Sequence, residues 1–522
     1  MTVESITAGY DSIKIKTDAN DGSAVSVCAY VPLINTAPGA SKYPGRCVFS
    51  ANVIIRHGTA EIPYIDAYEL FICRFEITSD GVLADGVCYV TDIEDGFSMC
   101  SDPYPEISRR IGTWCVAPDE DVEYMRMGVM MDEIDEAWLY SVNARDDDII
   151  HEWNGREYRF DSEHIRMHDR YLSKLSAKGI PTLIRFINRR KYQLRESDKS
   201  LFDVIKHPCY EDGFEGVEMS AVNLRTEEGL DRYCASLDFL FSRYARPNSE
   251  YGFSTVMDIG NEINSARIWH NAGKAECADF MEEYAVALRL AWLISQRYRI
   301  GYRVDVSLEM NFNRRYVDDP LRYYPAKECL TQLAAICRRD GDFYYGISAH
   351  PYPEFLDHPD FYNDRQPTFS LSTPIITMKN MEVWHAFLSL PEMLYRGRER
   401  RVVFDEQGFN TRTGEPYTEE QGAYAFVLAY LKIRKLDNVD MFLIHRHTDL
   451  DDGDEYGLHL GLRYFGGYGD KDHIFPMPGR RKLICDAIAA MDTEREEEWV
   501  RAARAYIGEG LFDYLLNPPE IK

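Results

Sequence analysis

The chain has 522 residues, 45% hydrophobic and 13% aromatic, and a formal net charge of −27 from 86 acidic against 59 basic residues. That length and apolar content suffice for a large core, and the acidity disfavours nucleic acid or an anionic membrane as a partner.

Residues 1–105 read as β structure. "SIKIKT", "AVSVCAYVPL", "CVFSANVIIR", "YELFICRFEI" and "GVCYVTDI" are short, alternating or β-branched, and separated by Gly, Asp, Asn and Pro. They predict a sandwich-like β domain. "SDPYPEISRR" (101–110) reads as a linker, because Pro103 and Pro105 break local structure. From there the rhythm is strand and helix in alternation. Strands are expected at 112–118, 137–143, 181–188, 254–260, 303–310, 344–350, 401–407 and 439–447, with a helix through "YMRMGVMMDEI" and a hairpin near 151–160. Eight apolar strands alternating with helices predict an α/β protein, a (β/α)8 TIM barrel spanning 106–478. The tail, 479–522, reads as helical and is expected to pack on the barrel or on the β domain.

No run of about 18 apolar residues occurs, and the first residues lack the basic and apolar pattern of a signal peptide. The twelve cysteines form no CxxC pair. Both features point to reduced thiols and a cytoplasmic setting. "DLDDGDEY" (449–456) lacks the closing Glu of a calcium loop and reads as solvated.

In a TIM barrel, chemistry gathers at the C-terminal ends of the strands. The fourth strand ends in Asn261 and Glu262, the sixth in "HPYP" (350–353), the seventh in Asp405, Glu406 and Gln407, and the eighth in His445, Arg446 and His447. Taken alone, Asn261 and Glu262 are a reasonable helix start. Paired with Glu406 across the barrel mouth, Glu262 fits glycoside hydrolysis, in which one carboxyl donates a proton and the other attacks the anomeric carbon. Arg185 and Asn188, ending the third strand, are further candidates to touch substrate. Trp114, Trp269, Trp384, Tyr352 and Phe409 are candidate sugar platforms, although such aromatics are more often core. The "HRH" of the last strand also leaves open a metal-dependent hydrolase.

Asn-Glu closing strand four and Glu closing strand seven resemble the retaining TIM-barrel glycosidases of clan A. "IGNEIN", "AHPYPEF" and "DEQGFN", with "LRYYPAKECL" and "STPIITMKNMEV", are more closely similar to a bacterial family known as a domain of unknown function. The resemblance covers about 112–447. It implies a retaining O-glycosidase with no cofactor, acting on an oligosaccharide or other glycoside. Glu262 is then the acid/base and Glu406 the nucleophile. Asn261 is implied to bind the sugar 2-hydroxyl, and His350 and Tyr352 to line the catalytic subsite and hold the nucleophile. The clan often places a Trp at the end of strand eight, where this chain has "IHRHTD", with His447 near that place and His445 beside it. A carbohydrate-binding protein on a glycosidase scaffold is the alternative. Long loops at 189–225 and 353–378 are expected to wall in a pocket, which favours exo action.

Overall fold

The computed structural model describes residues 1–65, 68–114, 117–189, 199–213, 219–411, 418–451, 457–468 and 476–521. Parts of the 189–225 loop and of "DLDDGDEY" therefore lie outside the described residues.

The N-terminal strands form two sheets. One runs Thr59–Pro63, Ser12–Thr17, Thr2–Ala8 and Asp85–Gly86, with Asp92–Ile93 also pairing Thr2–Ala8. The other runs Cys47–Ile54, Ala24–Tyr30, Arg74–Ser79 and Val82–Leu83. Alternation explains the layering. Ile13 and Ile15 of one sheet, and Val25, Val27 and Ala29 of the other, are buried, while Lys14, Lys16, Ser26 and Cys28 between and beside them are less so.

The remainder closes a parallel barrel. Its strands are β1 (Ile111–Trp114), β2 (Val129–Asp135), β3 (Thr182–Ile187), β4 (Val256–Ile259), β5 (Arg303–Glu309), β6 (Tyr345–His350), β7 (Val402–Gln407) and β8 (Val439–Ile444). β1 pairs β2 on one side and β8 on the other, so the ring is complete. β3 to β6 are buried at every position, as both-sided strands must be. The eight strands and intervening helices make a TIM barrel.

One expectation is corrected. The second strand is Val129–Asp135, taken above for the end of a helix, whereas the expected strand 137–143 opens with the short helix Glu136–Leu139. The real helix, Asp119–Tyr124, stops where Arg126 turns left-handed, at φ 50°. The buried run after Gly128 then pairs with β1 and β3.

The β-sheet region packs on the barrel's flank. The amides of Cys88 and Tyr89 donate to Asp340 O (3.0 and 3.2 Å), and Met99 N–H donates to Arg297 O (2.8 Å). At the other end, the hairpin Arg463–Tyr468/Pro476–Arg481 leads into helices Leu483–Ala490, Glu496–Ile507 and Glu509–Leu516. These lie against the helix Glu419–Ile433, where Lys432 donates to Leu515 O (2.8 Å) and Tyr430 to Asp492 (2.7 Å).

Candidate active site

β4 delivers Asn261 and Glu262 through an abrupt turn. Gly260 has φ 84°, and a Cβ there would meet His270 Nδ1 at 2.5 Å, so only glycine fits. Its N–H donates to Phe186 O of β3 at 2.8 Å. Glu262 itself is left-handed (φ 36°), with its N–H donating to Ser307 Oγ of β5 at 3.1 Å. A short 3₁₀ turn, Ile263–Ser265, follows, but the Glu262 side chain makes no capping bond to it. The strained backbone instead turns the carboxyl into the barrel mouth.

There it meets His350, which closes β6. His350 Nδ1 lies 2.7 Å from Glu262 Oε1 and 3.9 Å from Glu406 Oε2. Its Nε2 lies 3.5 Å from Asp405 Oδ1. Arg185, from β3, donates through Nη1 to Glu406 Oε2 and through Nη2 to Asp405 Oδ2, both at 2.5 Å. Tyr352 donates its one hydroxyl proton to Glu406 Oε1 (3.1 Å) and lies 3.0 Å from His445 Nδ1. His445 therefore carries its proton on Nδ1 and donates to the Tyr352 oxygen. Its ring rests on Trp114, with centroids 4.5 Å apart.

These contacts push the two glutamates apart in acidity. Burial raises Glu262 above its ordinary value, the Glu406 charge adds to the rise, and His350 and Arg185 offset only part of it. Burial would raise Glu406 too, but the His350 and Arg185 charges outweigh it and hold the carboxyl at about 2. His350 loses some basicity to burial, yet the charges of Glu406 and Asp405 push it up to about 10, so it is an imidazolium at neutral pH. Burial drives His445 down to about 3, leaving it neutral. One carboxyl is thus disposed to keep its proton and the other is ionised, the division of labour that acid and nucleophile need.

A cavity of about 210 Å³ opens over these groups. It is lined by Asn261, Glu262, His350, Tyr352, Glu406 and His445, six of the eight site residues expected from the sequence, together with Arg185. Asn261 is buried, and its Oδ1 has no hydrogen-bond partner among the described residues. The structure does not bring the other two expected residues to this cavity. Asn188 is not among the lining residues, and its Nδ2 is turned to Ile205 O (3.3 Å). His447 is also not among them. Its Nε2 is 2.8 Å from Asp121 and its Nδ1 2.8 Å from Thr448 Oγ1; β8 ends at Ile444, and past that point the alternation that would put residues 445 and 447 on one side no longer holds. Of the candidate platforms, Trp114, Trp269 and Tyr352 line the cavity, whereas Trp384 and Phe409 are core.

The sequence reading missed Glu133 and Glu309, which also line the cavity. Glu309 ends β5, a position that strand-end logic could have flagged. Glu133 belongs to β2, and the misplaced strand hid it.

Glu262, His350 and Glu406 each offer one ligand atom, all within 4.8 Å of one another, a spacing that a metal ion could use. The charges fit one poorly. His350 carries a proton that a ligand must shed, and the Arg185 guanidinium already occupies Glu406 Oε2. His445 and His447, the pair that suggested metal in the sequence, point apart.

The fold and this site define a class: a TIM barrel with a carboxylate pair bridged by an imidazolium at the ends of β4 and β7. The chain belongs to the family of unknown function DUF5722, whose model matches residues 116–513. No curated protein matches the sequence. Among solved structures, the chain is similar to a glucosidase from Croceicoccus marinus (12% identity, TM-score 0.42, covering 75% of this chain and 68% of that one). It is also similar to GH5_18 from Streptomyces cattleya in complex with GlcNAc (13%, 0.41, 76% and 83%). A third is the family 1 β-glucosidase from Thermotoga maritima (11%, 0.39, 66% and 79%). The barrel assignment rests on the strand pairing described above and not on these alignments.

Proposed function

We propose that the chain is a retaining glycosidase that hydrolyses O-glycosides or short oligosaccharides by double displacement. The observation that carries this reading is the short gap between the two carboxylates, whose oxygens come within 4.8 Å. Retaining glycosidases hold their carboxyl groups about 5–5.5 Å apart, and inverting ones about 6.5–9.5 Å.

In the first step the ionised Glu406 attacks the anomeric carbon. The bond to the leaving oxygen breaks as Glu262 gives that oxygen its proton. In the second step Glu262, now a carboxylate, takes a proton from water. The water oxygen attacks the anomeric carbon and frees Glu406. Asn261, next to the acid and with an unpaired Oδ1, suits a sugar hydroxyl, and Tyr352 and His445 suit the ring's surroundings. The eleven free cysteines among the described residues suit a reducing compartment, and no described helix is long and apolar enough to cross a membrane. The division into a β region to about 105, a barrel and a helical tail from about 479 belongs to the same proposal.

A panel of 2-fluoro-sugar inactivators, read by intact mass and then peptide mapping, tests the reading. A stable glycosyl adduct on Glu406 is expected. Sugar binding with neither adduct nor turnover favours the non-catalytic scaffold, and an adduct on another carboxylate overturns the role assignment.

A further inference from the structure

Polar and apolar groups are segregated by depth in the cavity. The strand ends supply its floor: Arg185, Asn261, Glu262, His350 and Glu406. The loops above supply its walls, and among the described residues these are largely hydrocarbon, with Ser265, Arg189 and Arg446 as polar neighbours. Leu458 and Leu460 pack on Tyr352, with Leu356 beside them. Ile268 and Met310 line the cavity as well.

The apolar character continues outward. Tyr316 and Val317, on the loop after β5, are 53% and 43% exposed, and Phe355, on the loop after β6, is 58% exposed. The two loops are tied together, because Arg314 donates to Gln366 Oε1 and Gln366 Nε2 donates to Glu354 Oε1 at 2.6 Å. The segments that carry Val317, next to the lining residue Tyr316, and Phe355, next to the lining residue Leu356, are thus braced against each other.

The acidic groups on the walls are engaged. Glu309 accepts from Asn264 Nδ2 at 2.8 Å and from the N–H and Nδ2 of Asn311 at 2.9 and 2.6 Å. Glu133 is paired with Arg189.

A glycone has to sit on the floor, because both carboxylates are there. Its leaving group, protonated by Glu262, has to extend toward the mouth. A second sugar there would bring hydroxyls against leucine, isoleucine and methionine side chains, stripping them of water without giving them partners. Aromatic rings such as Trp269 and Tyr316 can stack on a sugar, but the aliphatic side chains have nothing to offer its hydroxyls. Resting on the glycosidase reading, we propose that the leaving group is an apolar alcohol or phenol rather than a second sugar, held between the Leu356–Leu458 wall and the rim at Val317 and Phe355.

The test runs in two stages on the full chain. A panel of 4-nitrophenyl glycosides first identifies the glycone. No turnover of any member, together with no adduct from the inactivators, overturns the glycosidase reading and this inference with it. With the glycone known, kcat/KM is measured for its ethyl, butyl and hexyl glycosides, whose alcohols are nearly equal in acidity, and for the disaccharide of the same linkage configuration. The expected result is a rise of about two- to fourfold per methylene, with hexyl at least tenfold above the disaccharide. A flat series, or a disaccharide that matches the hexyl glycoside, overturns the inference while leaving the glycosidase reading intact. The double variant Val317→Ser/Phe355→Ser should flatten the rise, and an unchanged slope overturns the placement at this rim.

Discussion

Glu262 and Glu406 share one imidazolium and differ in everything else they touch. Glu406 also holds the Arg185 guanidinium and the Tyr352 hydroxyl, whereas Glu262 has, among the described side chains, His350 alone within hydrogen-bond reach. This asymmetry predicts different losses on mutation. Glu262→Ala should slow glycosides of poor leaving groups by about 10²–10⁴-fold and barely affect the first step with activated aryl glycosides. Glu406→Ala should slow both by on the order of 10⁴-fold or more. Steady-state kinetics on the two substrate types check this, and equal losses for the two variants contradict the assigned roles. The same asymmetry sets the pH profile. With Glu406 at about 2, the proposed nucleophile is ionised across the ordinary range, so on this proposal the alkaline fall in kcat/KM should report loss of the Glu262 proton. His350 lowers both carboxyls, so His350→Gln should move both limbs of the profile to higher pH. Limbs that stay in place would show that the imidazolium charge does not tune them.

A barrel strand is useful here only if its last residues turn the right way, and β4 shows how narrow that requirement is. Gly260→Ala would force a Cβ against His270 at a backbone angle that side chains resist. The variant should lose at least about 1 kcal/mol of stability, and its kcat/KM should fall further than its melting temperature accounts for, because Glu262 is displaced. Thermal unfolding alongside kinetics checks the pair, and a variant with normal activity would show that the turn does not position the acid. Much of this element order was legible in the sequence, because most of the strands from β3 to β8 are apolar runs followed closely by polar residues. β2 was not, because "VMMDEID" mixes methionines with acids and follows a helix, so its pattern fits either periodicity. That misplacement hid Glu133. The inward turn of His445 and the outward turn of His447 were equally hidden, because the facing of residues beyond a strand depends on where pairing stops. The role of His350 as a bridge between the two carboxyls needed coordinates, since nothing in "AHPYPEF" states what its imidazole touches.

At the scale of the whole molecule, no residue of the N-terminal sheets is among those lining the cavity, so their attachment bears on stability before chemistry. Glu283, on the helix Cys277–Tyr298, is a node of that attachment. It accepts from Thr36 N–H and Oγ at 3.0 and 2.6 Å, from Arg225 at 2.6 Å, and lies 3.0 Å from His207. It therefore joins the N-terminal region, a barrel helix and the loop after β3. Burial pushes its carboxyl up, but the His207 and Arg225 contacts outweigh burial and hold it at about 2. In the unfolded chain the same group titrates near its ordinary value of about 4.3. A depressed native value means that its stabilisation is complete above about pH 5 and is lost as the pH falls toward 2. Glu283→Gln should therefore cost roughly 3 kcal/mol at neutral pH, and the gap from the parent should close on acidification across that window. Denaturant unfolding at pH 7 and at pH 3 reads both values. Activity of the folded variant should be near that of the parent, because Glu283 touches none of the cavity's reacting groups. A gap that persists at low pH would mean that Glu283 acts by packing rather than by charge, and that the joint between the β region and the barrel is held by its apolar contacts.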